Sequence, residues 1–137
     1  MYCAYKAIEL KKDNNDKIFA SKMLDKLDTI KAEHKDDPHF KAGEHASNYL
    51  TSFSLRLFKL AYDKDSSSDF GPTTIKLFMN SSCILDCAST VEKLDENVDR
   101  ARRYAKWKSV YIITCKKNND APLPGPISEV DDDAMGP

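Results

Sequence analysis

The stretch Phe19-Ala20-Ser21-Lys22-Met23-Leu24-Asp25-Lys26-Leu27-Asp28-Thr29-Ile30 decides the fold class. Phe19, Met23, Leu27 and Ile30 recur at intervals of four, four and three residues, the period of one helix face. A second stripe of Ala20, Leu24 and Leu27 runs beside it, with Leu24 about 100° round from Met23. The spacing predicts a helix over residues 17–35 whose apolar face is wider than one contact needs. Such a face takes two neighbours, either two helices or one helix and a ligand.

The same period extends outward in both directions. Upstream, Tyr2, Tyr5 and Ile8 share helical spacing with no Ser, Thr, Asp or Asn before them, so the chain opens inside a pattern that lacks a cap. The polar run Lys11-Lys12-Asp13-Asn14-Asn15-Asp16 ends that pattern. Downstream, Asp36-Asp37-Pro38 marks a boundary at which Asp37 can cap and Pro38 can start a short helix through His45, weakened by Gly43. Leu50, Phe53, Leu57 and Leu60 share a face of a helix expected over residues 47–63, widened by Tyr49 and Phe58. Residues 64–72 read as a loop of Asp, Ser, Gly and Pro.

Thr73 or Thr74 then caps a helix expected to reach residue 94. Its Ile75, Phe78, Ser82, Leu85 and Cys83/Cys87/Val91 give a broad apolar surface, nearly uncharged over residues 77–85, and it is expected to be the most buried element. Asp95 caps a last helix to about residue 117, with Ala101, Ala105, Ile112 and Cys115 inward and Tyr104 and Trp107 on the flank. Beyond Asn118 the prolines and the acidic residues Glu129, Asp131, Asp132 and Asp133 read as a disordered acidic tail over residues 120–137, with nothing to bury. The fold class expected is all-α.

Bulk numbers narrow the function classes. With 137 residues the chain has room for one domain or two small helical modules sharing a core. A net charge of −1 supplies no field for nucleic acid or anionic lipid. No run approaches the ~20 apolar residues of a membrane-spanning helix. Met1-Tyr2-Cys3-Ala4-Tyr5 lacks the basic start and apolar core of an export signal. A reducing cytosol is the expected compartment, where Cys3, Cys83, Cys87 and Cys115 act as small buried hydrophobes and not as disulfides.

Residues with chemical potential are few. Cys83 and Cys87 at i and i+4 could offer two thiolates, but a zinc site needs about four ligands, and the other cysteines with His34, His39 and His45 show no matching spacing. No glycine-rich phosphate loop is present, since Gly71-Pro72 has no lysine or strand in position. A Cys–His nucleophilic pair lacks any local signature, and acidic pairs such as Asp36-Asp37 fit caps. No enzyme, metal or cofactor is expected. Arg100, Arg102, Arg103, Lys106 and Lys108 with Tyr104 and Trp107 are the alternative, a nucleic-acid-binding helix; Asp95, Glu96 and Asp99 one turn back favour a solvated, charge-paired face.

The face around Leu24 and Leu27 is more informative. Two leucines beside Asp25 and Asp28 can accept the apolar stripe of an amphipathic helix while the carboxylates pair with its arginine or lysine. Amphipathic helices usually place such leucines in the core and such aspartates in water, and the pattern leaves both readings open.

The last helix carries a resemblance. Asp95-Glu96-Asn97-Val98, Arg103-Tyr104-Ala105-Lys106-Trp107-Lys108, Tyr111-Ile112, Cys115 with Lys117-Asn118, and Pro122…Gly125-Pro126 closely resemble the N-terminal domain of the Vta-one (LIP-five) family. Weaker matches reach upstream through Tyr2-Cys3…Ala7, Phe19…Ser21-Lys22…Asp25…Leu27 and Asn48-Tyr49-Leu50. The resemblance implies tandem three-helix modules of the microtubule-interacting and trafficking (MIT) type: an incomplete first module over 1–36, lacking the helix expected before Met1; a connecting helix and second module over 37–119; and the tail. It further implies binding of the helical tails of ESCRT-III subunits in multivesicular-body sorting, at the cytoplasmic side of endosomes. Co-activation of the ESCRT-III-disassembling AAA ATPase would need a C-terminal region absent here. Leu24 and Leu27 match the groove floor, Ala20 lies beside them, and Asp25 and Asp28 match acidic positions. Nucleic acid and membrane insertion are not implied. Should the first module lack its packing, part of its apolar surface is left exposed, or the chain has no stable fold.

Overall fold

A capping aspartate sets the first long helix earlier than the apolar stripe alone predicts. Asp13 has an extended backbone, and its Oδ1 accepts the N–H of Asp16 at 2.8 Å. Asn14, Asn15 and Asp16 therefore form the first helical turn instead of a linker, and Asp16 sits where the helix dipole favours negative charge. The computed structural model describes residues 2–10, 13–37, 43–126 and 134–136. Their regular structure is five α-helices with no strand: α1 (Tyr2–Glu9), α2 (Asn14–Glu33), α3 (Gly43–Ser66), α4 (Pro72–Ser89) and α5 (Glu96–Lys117). The chain divides into two compact units, residues 1–46 and 47–137. The Cys3 side chain, the Pro38 helix start, His39, the His45 side chain and residues 127–133 lie outside the described residues.

In the first unit α1 packs on α2. Eight residues make a helix of about 12 Å and twenty make one of about 30 Å, so α1 can lie along less than half of its partner. Ala20, with no side chain beyond Cβ, is buried.

The second unit is built differently. The helix expected over residues 47–63 and the short one through His45 are a single element, because nothing between His45 and Ser47 breaks the helix and Gly43 stands at its first residue, where its low propensity matters least. After Ser66 the chain reverses through Ser68 at φ 59°, a left-handed position that more often holds glycine. The cap of α4 is Gly71 with Pro72 at the first helical position, not Thr73 or Thr74. Thr74 is one turn inside, fully buried, with no hydrogen-bond partner for its hydroxyl. The helix stops at Ser89, short of residue 94, because Ser89 and Thr90 turn their hydroxyls onto the Asp86 and Cys87 carbonyls at 2.6 Å each. Asp95 caps α5 as expected, accepting the Asn97 N–H.

Ala61 of α3, Phe78 of α4 and Ala105 and Ile112 of α5 form the core, joined by Phe58, Phe70, Ile75, Leu77, Tyr104 and Tyr111. Phe58, Phe78 and Tyr104 meet edge-on in a triangle of 6.0–6.4 Å. Where α3 crosses α4, Ser54 donates to the Ser81 carbonyl at 2.7 Å and Ser81 donates to the Ser54 carbonyl at 3.2 Å. Both are fully buried, so the small polar residues of this crossing are serines. The cysteines do not play the part expected of them: Cys83 is exposed and Cys87 and Cys115 are half-buried, because the inward face of α4 is Thr74, Phe78, Ser81, Ser82, Leu85 and Ala88. As expected, α4 carries the most buried side chains among the described residues.

Candidate functional site

A helical wheel places the α2 residues around Ala20. Leu27 lies about 20° to one side of it and Leu24 about 40° to the other, with Asp28 at about 80° and Asp25 at about 140° beyond Leu24. Met23 and Phe19 follow on the Leu27 side, at about 60° and 100°. The burial matches this order. Ala20 has 2% of its surface exposed and offers a partner nothing to touch, so it belongs to the packing of its own unit. Leu24, Leu27 and Ile30 are half-buried. Phe19 and Met23 are 66% and 40% exposed. Leu27 and Ile30 lie in the half of α2 farther from the α1 connection, which α1 is too short to cover.

Asp25 and Asp28 are exposed, and neither pairs with a cation among the described residues. The Asp25 main chain is occupied locally, its carbonyl accepting the Thr29 hydroxyl at 3.1 Å. The face thus carries exposed and half-buried apolar side chains beside two carboxylates that make no ion pair among the described residues. Phe19 and Met23 are the residues a site list drawn from Leu24 and Leu27 leaves out. Their signal was the first stripe, at i and i+4 from each other and leading to Leu27.

The basic stretch of α5 is not the solvated face expected of it. Lys108 is wholly buried, its Nζ 3.2 Å from Asp65 Oδ2 and donating to the carbonyls of Leu123 at 2.8 Å and Gly125 at 3.0 Å. Gly125 N–H donates to the same Asp65 oxygen at 2.8 Å. Tyr104 donates to the Gly125 carbonyl at 3.3 Å, and Leu123 N–H donates to the Tyr111 hydroxyl at 3.2 Å. Residues 120–126, expected to bury nothing, are strapped to the bundle by these bonds, and Gly125 is buried with φ 71°.

Burial pushes the Asp65 carboxyl above its ordinary value, opposed by the Lys108 ammonium and the Gly125 N–H. Burial likewise pushes the Tyr104 phenol up, with Asp65 and Tyr62 adding to the shift. Arg102 donates to Asp99 at 2.9 Å and to Asp86 at 3.0 Å, tying α5 to α4, and Arg103 lies 3.3 Å from Asp99. Within residues 100–108 the exposed cations are Arg100 and Lys106, a poor electrostatic footprint for a phosphate backbone. Asp65 and Lys108 both continue inward stripes (Phe58, Ala61, Asp65 and Ala101, Ala105, Lys108, Ile112), a register that by itself does not announce a buried ion pair.

Among the described residues no group of three His, Cys, Asp or Glu side chains is placed to hold a metal ion, and no helix is long and apolar enough to cross a membrane.

Comparison with known proteins supplies the family. A sequence model described as Vta1-like matches residues 1–118. The vacuolar protein sorting-associated protein VTA1 homolog of Bos taurus is 32% identical over 115 residues, covering 83% of this chain and 37% of that protein. The Homo sapiens homolog gives the same identity and coverage. The Dictyostelium discoideum homolog is 27% identical over 131 residues, covering 91% of this chain and 24% of its own length. The chain spans little more than a third of the length of the mammalian relatives it matches. Since the family model covers all five helices, the chain belongs to the Vta1-like family.

Proposed function

We propose that this chain is a non-enzymatic adaptor module of vacuolar protein sorting that docks the helical C-terminal tails of ESCRT-III subunits on the α2 face. The observation that carries the reading is the unfinished state of that face: exposed Phe19 and Met23, half-buried Leu24 and Leu27, and exposed Asp25 and Asp28 that form no ion pair among the described residues. An amphipathic tail helix supplies what is missing, an apolar stripe at i, i+3, i+4 and i+7 and a lysine or arginine on its edge. Two or three leucines seated this way bind at micromolar strength, about −8 kcal/mol. The names of the relatives, which are vacuolar protein sorting-associated proteins, support the pathway.

In this reading residues 1–36 belong to a first MIT-like module, residues 37–119 form a connecting helix and a second module, and the chain works at the cytoplasmic face of endosomes. The test is calorimetry with an ESCRT-III tail peptide. Leu24→Asp abolishes binding while far-UV circular dichroism stays unchanged; an unchanged affinity in that variant rejects the α2 assignment. The double reversal Asp25→Lys, Asp28→Lys touches only exposed positions and lowers affinity at least tenfold if the acidic edge receives a basic tail residue.

A further inference from the structure

We infer that residues 120–126 form a latch that opens and closes on the second unit as one piece, without unfolding the bundle, and that it gates the buried Asp65–Lys108 pair. The latch is held almost entirely through its main chain. Leu123 donates its N–H to Tyr111 and offers its carbonyl to Lys108. Gly125 donates its N–H to Asp65 and offers its carbonyl to Lys108 and Tyr104. Pro122, Pro124 and Pro126 alternate with these two residues and have no N–H to satisfy. Each main-chain donor and acceptor of the two residues between the prolines is therefore met by the bundle.

Little apolar surface reinforces those bonds. Leu123 is 58% exposed, Ala121, Pro124 and Pro126 are also exposed, and Pro122 is half-buried. A segment held by hydrogen bonds with few buried apolar contacts belongs to the part of a protein that opens more readily than the whole unfolds. Water replaces each broken bond, so each one adds only modestly to closure. The groups beneath are different. Asp65 and Lys108 are wholly enclosed, and the cover over the ammonium is the pair of latch carbonyls that it bonds. Opening hydrates both charges, which offsets part of the cost of the bonds given up.

The hinge is local to the end of α5. Asn119 has φ 59°, and Asp120 N–H donates to the Cys115 carbonyl at 2.8 Å, so the turn is made without any of the groups that seat the latch. At the far end Pro126 lies on the wall of a cavity of about 290 Å³ shared with Phe58, Tyr62 and Tyr104. An open latch uncovers two things at once, the Lys108 ammonium and one side of that cavity. The device is separate from the α2 face, and its fate does not depend on the α2 reading.

Hydrogen exchange on the full chain tests it. The Leu123 and Gly125 amides are expected to exchange about a hundredfold or more faster than those of Phe78 and Ile112, with little dependence on low concentrations of urea. Equal protection at all four, with the same urea dependence, means that the segment moves only when the bundle unfolds and overturns the proposal. Gly125→Val gives a second readout. A β-branched residue is strained at φ 71°, while a Cβ there meets no atom within 4 Å, so the change acts on the latch backbone and leaves its seat intact. Reductive methylation of lysines, mapped by mass spectrometry, is expected to label Lys108 in this variant about tenfold or more faster than in the unaltered chain. Exposed Lys106 is labelled equally in both, and the thermal melt of the variant stays cooperative. A Lys108 as protected in the variant as in the unaltered chain, or a variant without a cooperative melt, overturns the latch.

Discussion

The two units differ in what they enclose, although both expose large apolar side chains, Tyr49, Leu60, Val110 and Leu123 among those of the second. In the second, Phe78, Leu85, Ala88, Ala105 and Ile112 are wholly buried, and even its charged interior members, Asp65 and Lys108, are enclosed and paired. In the first, Ala20 is the buried apolar residue among those described, while Tyr5, Leu10, Phe19 and Met23 stand exposed. A short helix on a long one removes little surface from water, and at about 25 cal/mol per Å² that leaves α2 with apolar area still available to a partner. The proposed dock on α2 draws on that area, while the second unit holds an enclosed and paired core.

The largest expected effect breaks that core. Lys108→Ala leaves Asp65 buried without its partner and two strap carbonyls without a donor, and costs about 3–5 kcal/mol of the second unit's stability in chemical denaturation. Replacing both members, Lys108→Met with Asp65→Leu, costs much less, because no charge is then stranded in the interior. A loss in the double variant as large as in the single one would show that the strap bonds, and not the stranded charge, dominate.

A pair of phenylalanines sharpens the contrast directly. Phe78→Ala, at a site with no exposure, costs about 3–5 kcal/mol. Phe19→Ala, on the open face, stays within about 0.5 kcal/mol in stability yet weakens tail-peptide binding. Equal stability losses from the two would mean that α2 is covered in solution.

A smaller effect follows from pH. A raised folded-state pKa means that the native chain takes up the Asp65 proton before the unfolded chain does. This group therefore adds stability as pH falls from that raised value toward 3.8 and adds none above the window. Asp65→Asn cannot take up the proton, so the unaltered chain gains on it as the solution is acidified through that range. Urea melts at a series of pH values measure the gap; a constant gap contradicts the burial effect.

Smallest is Ser68→Gly. It removes the strain of a left-handed serine at the α3–α4 turn and raises thermal stability by about 1 kcal/mol. No change in melting temperature would mean that the turn is already relaxed.

Much of this fold was legible from apolar period and caps. Asp95, the α5 span, the buried character of α4 and the amphipathic α2 all follow from side chains acting within one or two turns. What was not legible depends on partners distant in sequence. Lys108 reads as one more surface cation until Asp65, 43 positions earlier, and the strap carbonyls are placed around it. Residues 120–126 read as a tail because their hold on the bundle runs through main-chain groups, which leave no mark in composition. Cys83 and Cys87 read as inward because cysteine is often buried, while the register of α4 gives those places to Ser81, Ser82 and Leu85. On α2 the stripe marked the face, but only packing separated inward Ala20 from outward Phe19 and Met23.

The most direct test of the proposed α2 dock is a backbone-amide NMR titration of the full chain with an amphipathic, basic-edged ESCRT-III tail peptide. The account predicts saturable shifts concentrated at Phe19, Met23, Leu24, Leu27 and Asp28, with α4 unmoved. Binding that perturbs α4 and α5 while α2 keeps its resonances would contradict it.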